Sequence, residues 1–191
     1  MKKIILILVV IVLLIISCLS VVSSAASQYE SELQKQLTYD SSYNEAIEIY
    51  RTTVVTYCTS YSMTDYVDVI MKMISYYSET HSTDIMNASF SPLNKNYPHR
   101  NEGITDSDYS IRIGIEQLSQ WKDYIKIKYN VDPILDIEAL FVLLQAYEVQ
   151  DRGYIDYALS GEGYSVNNTI AYCQSDSFES EKNISQINFN F

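Results

Sequence analysis

Basic charge is scarce in this chain. Thirteen Lys and Arg stand against twenty-four Asp and Glu, a net charge of −11. A nucleic-acid binder needs clustered cations over phosphates, so the balance argues against that class. An acidic surface also repels anionic lipid headgroups. Cysteine is scarce too: Cys18, Cys58 and Cys173 show no paired spacing with one another or with the isolated His81 and His99. No metal site is expected, and no motif calls for a cofactor. Period-two alternation and internal repeats are missing, which leaves an all-α or nearly all-α chain. A small hairpin between residues 80 and 105 is the one place a strand pair has room. Glycine and proline are few, 5 and 3, against 18 tyrosines. Tyrosine brings apolar area with a polar tip, which suits either a groove for sugars or a helical core where it stands in for Phe and Leu.

What is present is enough for one ordinary domain: 191 residues, 47 % of them hydrophobic. The chain opens with Lys2 and Lys3 and then runs without a charge from Ile4 to Val22. That is close to the ~20 residues that cross a bilayer core. The lysines hold the N-terminal side in the cytoplasm, so the rest is expected outside. Three fates stay open: retention as a signal anchor, cleavage near Ser24-Ala25-Ala26, or lipidation at Cys18, because Ile15-Ile16-Ser17-Cys18 resembles a bacterial lipoprotein box. The organisation expected is a signal anchor or signal peptide over 1–26, a polar stalk over 27–40, a folded domain over 41–175 and a polar tail over 176–191. Cys58 and Cys173 share an oxidising compartment on this reading and are either bridged or two buried thiols.

Along the folded part, Asp40-Ser41-Ser42 offers a helix start, followed by apolar residues at helical spacing from Ala46 to Tyr61. Thr64 is placed to cap a second helix. Its run from Tyr66 to Tyr77 is apolar nearly all round, the pattern of a helix in the middle of a domain. Residues 79–108 are polar and carry Pro92, Pro98 and Gly103, a stretch long enough to be functional. Asp106 or Ser107 caps a third helix that buries Ile111, Ile113, Ile115, Leu118, Trp121, Tyr124 and Ile125. Asp132-Pro133 interrupts, and Leu135 to Tyr147, Tyr154 to Leu159 and Val166 to Cys173 are further helices.

Five stretches carry a family likeness: Tyr50-Arg51 through Val54 with Tyr57-Cys58; Tyr66-Val67-Asp68; Thr83 to Ser89; Gly103-Ile104-Thr105-Asp106 with Tyr109-Ser110-Ile111 and Gly114-Ile115; and Gly153-Tyr154-Ile155-Asp156-Tyr157-Ala158. In order and spacing, from about Tyr50 to Tyr172, the chain resembles the lysozyme-like domain of cell-wall hydrolases carried by Gram-positive conjugative elements. Goose-type lysozymes and soluble lytic transglycosylases are its relatives. The resemblance implies a compact helical domain with a groove for a peptidoglycan glycan strand, behind one N-terminal transmembrane helix.

It also implies a place for an acid. In the family a glutamic acid closes the second helix, within Gln-Glu-Ser and before glycines. Such a carboxyl, raised to about 6 in an apolar pocket, protonates the glycosidic oxygen. Counting forward from Tyr66-Val67-Asp68 and back from Thr83-Asp84-Ile85-Met86 reaches Tyr77 both times, with Tyr76 before it and Ser78 retained. A phenol, with a pKa near ~10, is a poor proton source by comparison. Glu79 is the rival acid; it lies two residues on, about 200° around a helix. The family's Gly-Tyr-Asn becomes Tyr147 followed by Glu148, with one extra residue before Gly153. Met86-Asn87 stands where relatives show Met-Gln. The candidate site is therefore Tyr77 and Glu79 for catalysis, and Ser78, Met86, Asn87, Tyr147, Glu148 and Tyr154 for binding.

Three functions follow as expectations. The first is a membrane-tethered, extracytoplasmic lysozyme-like protein that binds or acts on peptidoglycan with weak or no hydrolase activity. The second is an active muramidase or lytic transglycosylase using Glu79, helped by Glu148 or Asp84. The third is a protein-binding scaffold of an envelope or conjugation assembly.

Overall fold

The computed structural model describes residues 45–175 and Phe178. The anchor over 4–22, Cys18, the stalk, the Asp40-Ser41-Ser42 start and nearly all of the tail lie outside the described residues. The elements in chain order are α1 (Glu45–Glu48), α2 (Arg51–Ser60), a 3₁₀ turn (Thr64–Tyr66), α3 (Val67–Ser78), α4 (Ser107–Tyr129), α5 (Ile137–Val149), α6 (Gly153–Tyr157), a π-helical turn (Ala158–Glu162) and α7 (Val166–Cys173). There is no strand among the described residues, so the domain is helical, in accord with the class read from the sequence. None of these helices is long and apolar enough to cross a membrane.

Local chemistry fixes most boundaries. Asp106 is extended and accepts from the Asp108 and Tyr109 amides at 3.0 and 3.3 Å, which starts α4. Asp136 and Ser165 do the same for α5 and α7, each such cap being worth ~1 kcal/mol. Asn130 and Gln150 end α4 and α5 in the left-handed region, at φ 55° and 57°. Thr64, expected as a side-chain cap, instead opens the 3₁₀ turn with no capping bond from a side chain. The first expected helix is divided: Tyr50 N–H closes a tight turn on the Ile47 carbonyl at 2.9 Å, so α1 and α2 are separate.

The core forms where α4 packs against α2 and α5, and α3 against α2. Val54, Cys58, Ile70, Met71, Ile74, Ile111, Ile115, Leu118, Ile125, Val142, Leu143 and Ala146 are all buried there. The most enclosed helix is α5, buried from Ala139 through Val149 at every position but Phe141, not α3. α3 keeps a wet edge at Asp68 and at Tyr76, which is 44 % exposed. Cys58 and Cys173 are both buried and carry no disulfide.

Between α3 and α4, where residues 80–105 left room for a hairpin, none forms. The segment runs through turns held by side chains. Asp84, fully buried, accepts from the Ala88 amide at 2.8 Å, the Ser89 amide at 3.0 Å, the Ser89 hydroxyl at 2.5 Å and the Ser110 hydroxyl at 2.7 Å. Ser89 Oγ in turn accepts from the Ile104 amide at 3.0 Å. Asn94 donates to the Ser89 and Tyr97 carbonyls at 2.8 and 3.1 Å. These bonds satisfy the backbone that a ladder would otherwise pair.

Candidate functional site

The end of α3 carries the position to which both sequence counts lead. Tyr77 is its penultimate residue, and α3 buries Ile70, Met73, Ile74 and Tyr77 on one face. That face turns the Tyr77 ring inward, leaving it 2 % exposed. Its hydroxyl donates to Glu148 Oε2 at 2.5 Å. Glu148 is the penultimate residue of α5 and is 1 % exposed. Although it stands at a helix end, Glu148 is not a solvated charge: α5 is enclosed to its last turn, and the phenol supplies a donor that a carboxyl needs when it is withdrawn from water.

The surroundings favour the phenol over the phenolate. Burial, then the nearby Glu148 charge, hold the Tyr77 phenol well above its ordinary pKa. Burial, then Asp84, do the same for Tyr147. Two rings flank Tyr77 edge-on, Tyr76 at 5.2 Å between centroids and His81 at 6.0 Å. The chain turns tightly after the helix. The Thr80 and His81 amides donate to the Tyr77 carbonyl at 3.0 and 2.8 Å.

Several expected site residues are gathered here. Tyr147, fully buried, donates to the Met86 carbonyl at 2.6 Å. Met86 N–H donates to Ser110 Oγ at 3.0 Å, which ties this end of α5 to the Asp84 network. Gly114 makes the approach possible. A Cβ there would lie 2.7 Å from the Tyr147 hydroxyl and 2.8 Å from Met86 Cβ. Asn87 is buried at φ 50°, a left-handed position that Asn tolerates better than most residues.

Others are turned elsewhere. Glu79 follows α3 and is exposed. With Tyr77 facing the core, a residue two further on is carried to the opposite side. Ser78 donates back to the Ser75 carbonyl at 2.9 Å. Tyr154 is buried between α6 and α7, where its hydroxyl shares a 2.8 Å hydrogen bond with Thr169. The Asp84 carboxylate is committed to four donors in its own loop and in α4. The hub it forms with Ser89 and Ser110 was not read from the sequence, although Asp84 and Ser110 both fall in stretches that carry the likeness. Among the described residues no cluster of His, Cys, Asp and Glu is arranged to hold a metal ion.

Chemically, the place contains a hydrogen-bond donor of high pKa closed on a carboxylate. Neither group stands open to an incoming sugar oxygen. A family model described as lysozyme-like matches residues 44–190. None of the curated proteins compared matches the chain.

Proposed function

Because the chain belongs to the lysozyme-like family through residues 44–190, we propose that it engages peptidoglycan glycan strands and cuts them weakly or not at all. The observation that carries this reading is the Tyr77–Glu148 bond, 2.5 Å long and withdrawn from solvent. Cleavage requires an acid that delivers its proton to the glycosidic oxygen from hydrogen-bond distance. The counted position holds a phenol that binds its proton more tightly than a free tyrosine. It spends that proton on Glu148. Glu79, the rival, has the exposure of a solvated charge. The charge-free run from Ile4 to Val22 supports a domain held outside the membrane by its own N-terminus.

The test is a peptidoglycan zymogram run beside a pull-down on purified sacculi. The protein is expected to be retained on sacculi, in competition with soluble glycan, and to leave the zymogram uncleared. Clearing that disappears in Glu79→Gln would overturn the reading in favour of an active hydrolase. Absence of retention would remove the glycan from it.

A further inference from the structure

Ser110, Gly114, Gln117 and Trp121 recur at helical spacing and so share one face of α4. This face holds the end of α5. Ser110 Oγ takes the Met86 amide at 3.0 Å, and the Met86 carbonyl takes the Tyr147 hydroxyl at 2.6 Å. Gly114 leaves the space for that approach. Gln117 continues the row: its Nε2 donates to Gln150 Oε1 at 2.9 Å.

Gln150 stands two residues after Glu148 and ends α5 at φ 57°. Gln there lacks the short local bonds with which Asn offsets a left-handed backbone. Two backbone bonds that close the turn are at the long end of the normal range. The Gln150 amide reaches the Tyr147 carbonyl, and the Asp151 amide the Ala146 carbonyl, both at 3.2 Å. The side-chain contact to α4 therefore has a large share in fixing this helix end.

Both amides are withdrawn from solvent, Gln117 at 1 % exposure and Gln150 at 7 %. Yet Gln117 Oε1 and Gln150 Nε2 find no partner among the described residues. Buried polar atoms left so are costly and uncommon. One of the two accepts and the other donates. Exchanging oxygen and nitrogen in both amides leaves the same complement, one donor and one acceptor.

We infer that the Gln117–Gln150 pair holds one buried water, and that this bridge positions the last turn of α5, and with it Glu148, against Tyr77. An ion of either sign suits only one of the two atoms. A guest that both donates and accepts suits both, and the close packing of protein interiors selects the smallest. Water in this place accepts from Gln150, donates to Gln117 and keeps a proton for a third partner. Gln117 and Gln150 act on the Tyr77–Glu148 bond through the helix end, as positioning residues. The inference stands on the geometry of that end and not on glycan binding, so retention on sacculi does not bear on it.

The experiment is a water-selected NOE measurement on the full chain labelled with nitrogen-15, with the Tyr77 ring carbons as a second signal. The Gln150 side-chain amide is expected to show contact with long-lived water, and Gln117→Met should abolish it. The same variant should speed hydrogen exchange of the Gln150 and Asp151 amides about 5-fold or more and move the Tyr77 ring resonance. Gln150→Gly keeps the left-handed turn without strain and removes the amide. It should move the Tyr77 resonance in the same direction, and it carries the test if Gln117→Met does not fold. Absence of the long-lived water in the parent overturns the water site. A Tyr77 resonance unmoved in the folded variants overturns the positioning role.

Discussion

Replacing Tyr77 by Phe removes one oxygen and little else. That oxygen is the donor in a 2.5 Å bond to Glu148, in a place where neither side chain is more than 2 % exposed. The separation falls in the range of hydroxyl-to-carboxylate bonds. Bonds to charged groups contribute about 1.5–3 kcal/mol to stability. Water does not reach the gap to replace the lost donor, so the upper part of that range applies. For a domain of this size the loss corresponds to a fall in Tm of about 5–10 °C. Urea unfolding of the parent, Tyr77→Phe, Glu148→Gln and the double variant closes a thermodynamic cycle. Glu148→Gln keeps an acceptor oxygen and should cost less, about 1 kcal/mol. The coupling between the two sites should be about 1–2 kcal/mol. A Tyr77→Phe protein within about 0.5 kcal/mol of the parent, the range of an ordinary surface change, would refute the argument. So would a coupling near zero.

Gly114→Ala should destabilise by about 1–3 kcal/mol, since its Cβ would meet the Tyr147 hydroxyl at 2.7 Å and Met86 at 2.8 Å; urea midpoints with an unchanged m-value check this. Asp84→Ala should strip hydrogen-exchange protection from the Ala88, Ser89 and Ile104 amides well before the α4 core opens, because that carboxylate holds the segment together; uniform loss throughout the domain would contradict it. Burial lifts the phenols of Tyr77 and Tyr147 well above their ordinary range and pushes Tyr154 up to about 12. A phenol held protonated in the fold contributes stability that is complete below a pH of about 10 and is lost as pH climbs through the folded-state value. Melting temperatures should therefore hold up to about pH 10 and then fall together with the appearance of phenolate absorbance; a fall well below that pH would point to other groups. Glu79→Gln should leave stability within about 0.5 kcal/mol of the parent, as its exposure implies, and should leave sacculus retention unchanged.

Much of the fold was legible because local signals and packing agreed. Asp106 stood before an apolar run at helical spacing and does cap α4. Val166 to Cys173 appeared as a helix and is one, with those bounds. The break at Asp132-Pro133 separates α4 from α5. Where local signals misled, long-range packing had prevailed. The hairpin was suggested by a polar segment with turn residues, yet the Asp84 carboxylate supplies by side chain what a strand pair would have supplied by backbone. α3 had the apolar composition of a central helix, but α5 occupies the centre: α3 leaves Tyr76 44 % exposed and Asp68 in water, while α5 is buried along most of its length.

The sequence by itself determined the helical class, the likeness to the lysozyme-like family and the count that puts Tyr77 at the end of α3, because periodicity, caps and motif spacing are properties of neighbouring residues. Only the tertiary structure decided what Tyr77 does there. Its hydroxyl finds a carboxylate 71 positions away in the chain, and whether Glu148 meets water or a phenol depends on how α3 and α5 are brought together, which no local pattern encodes.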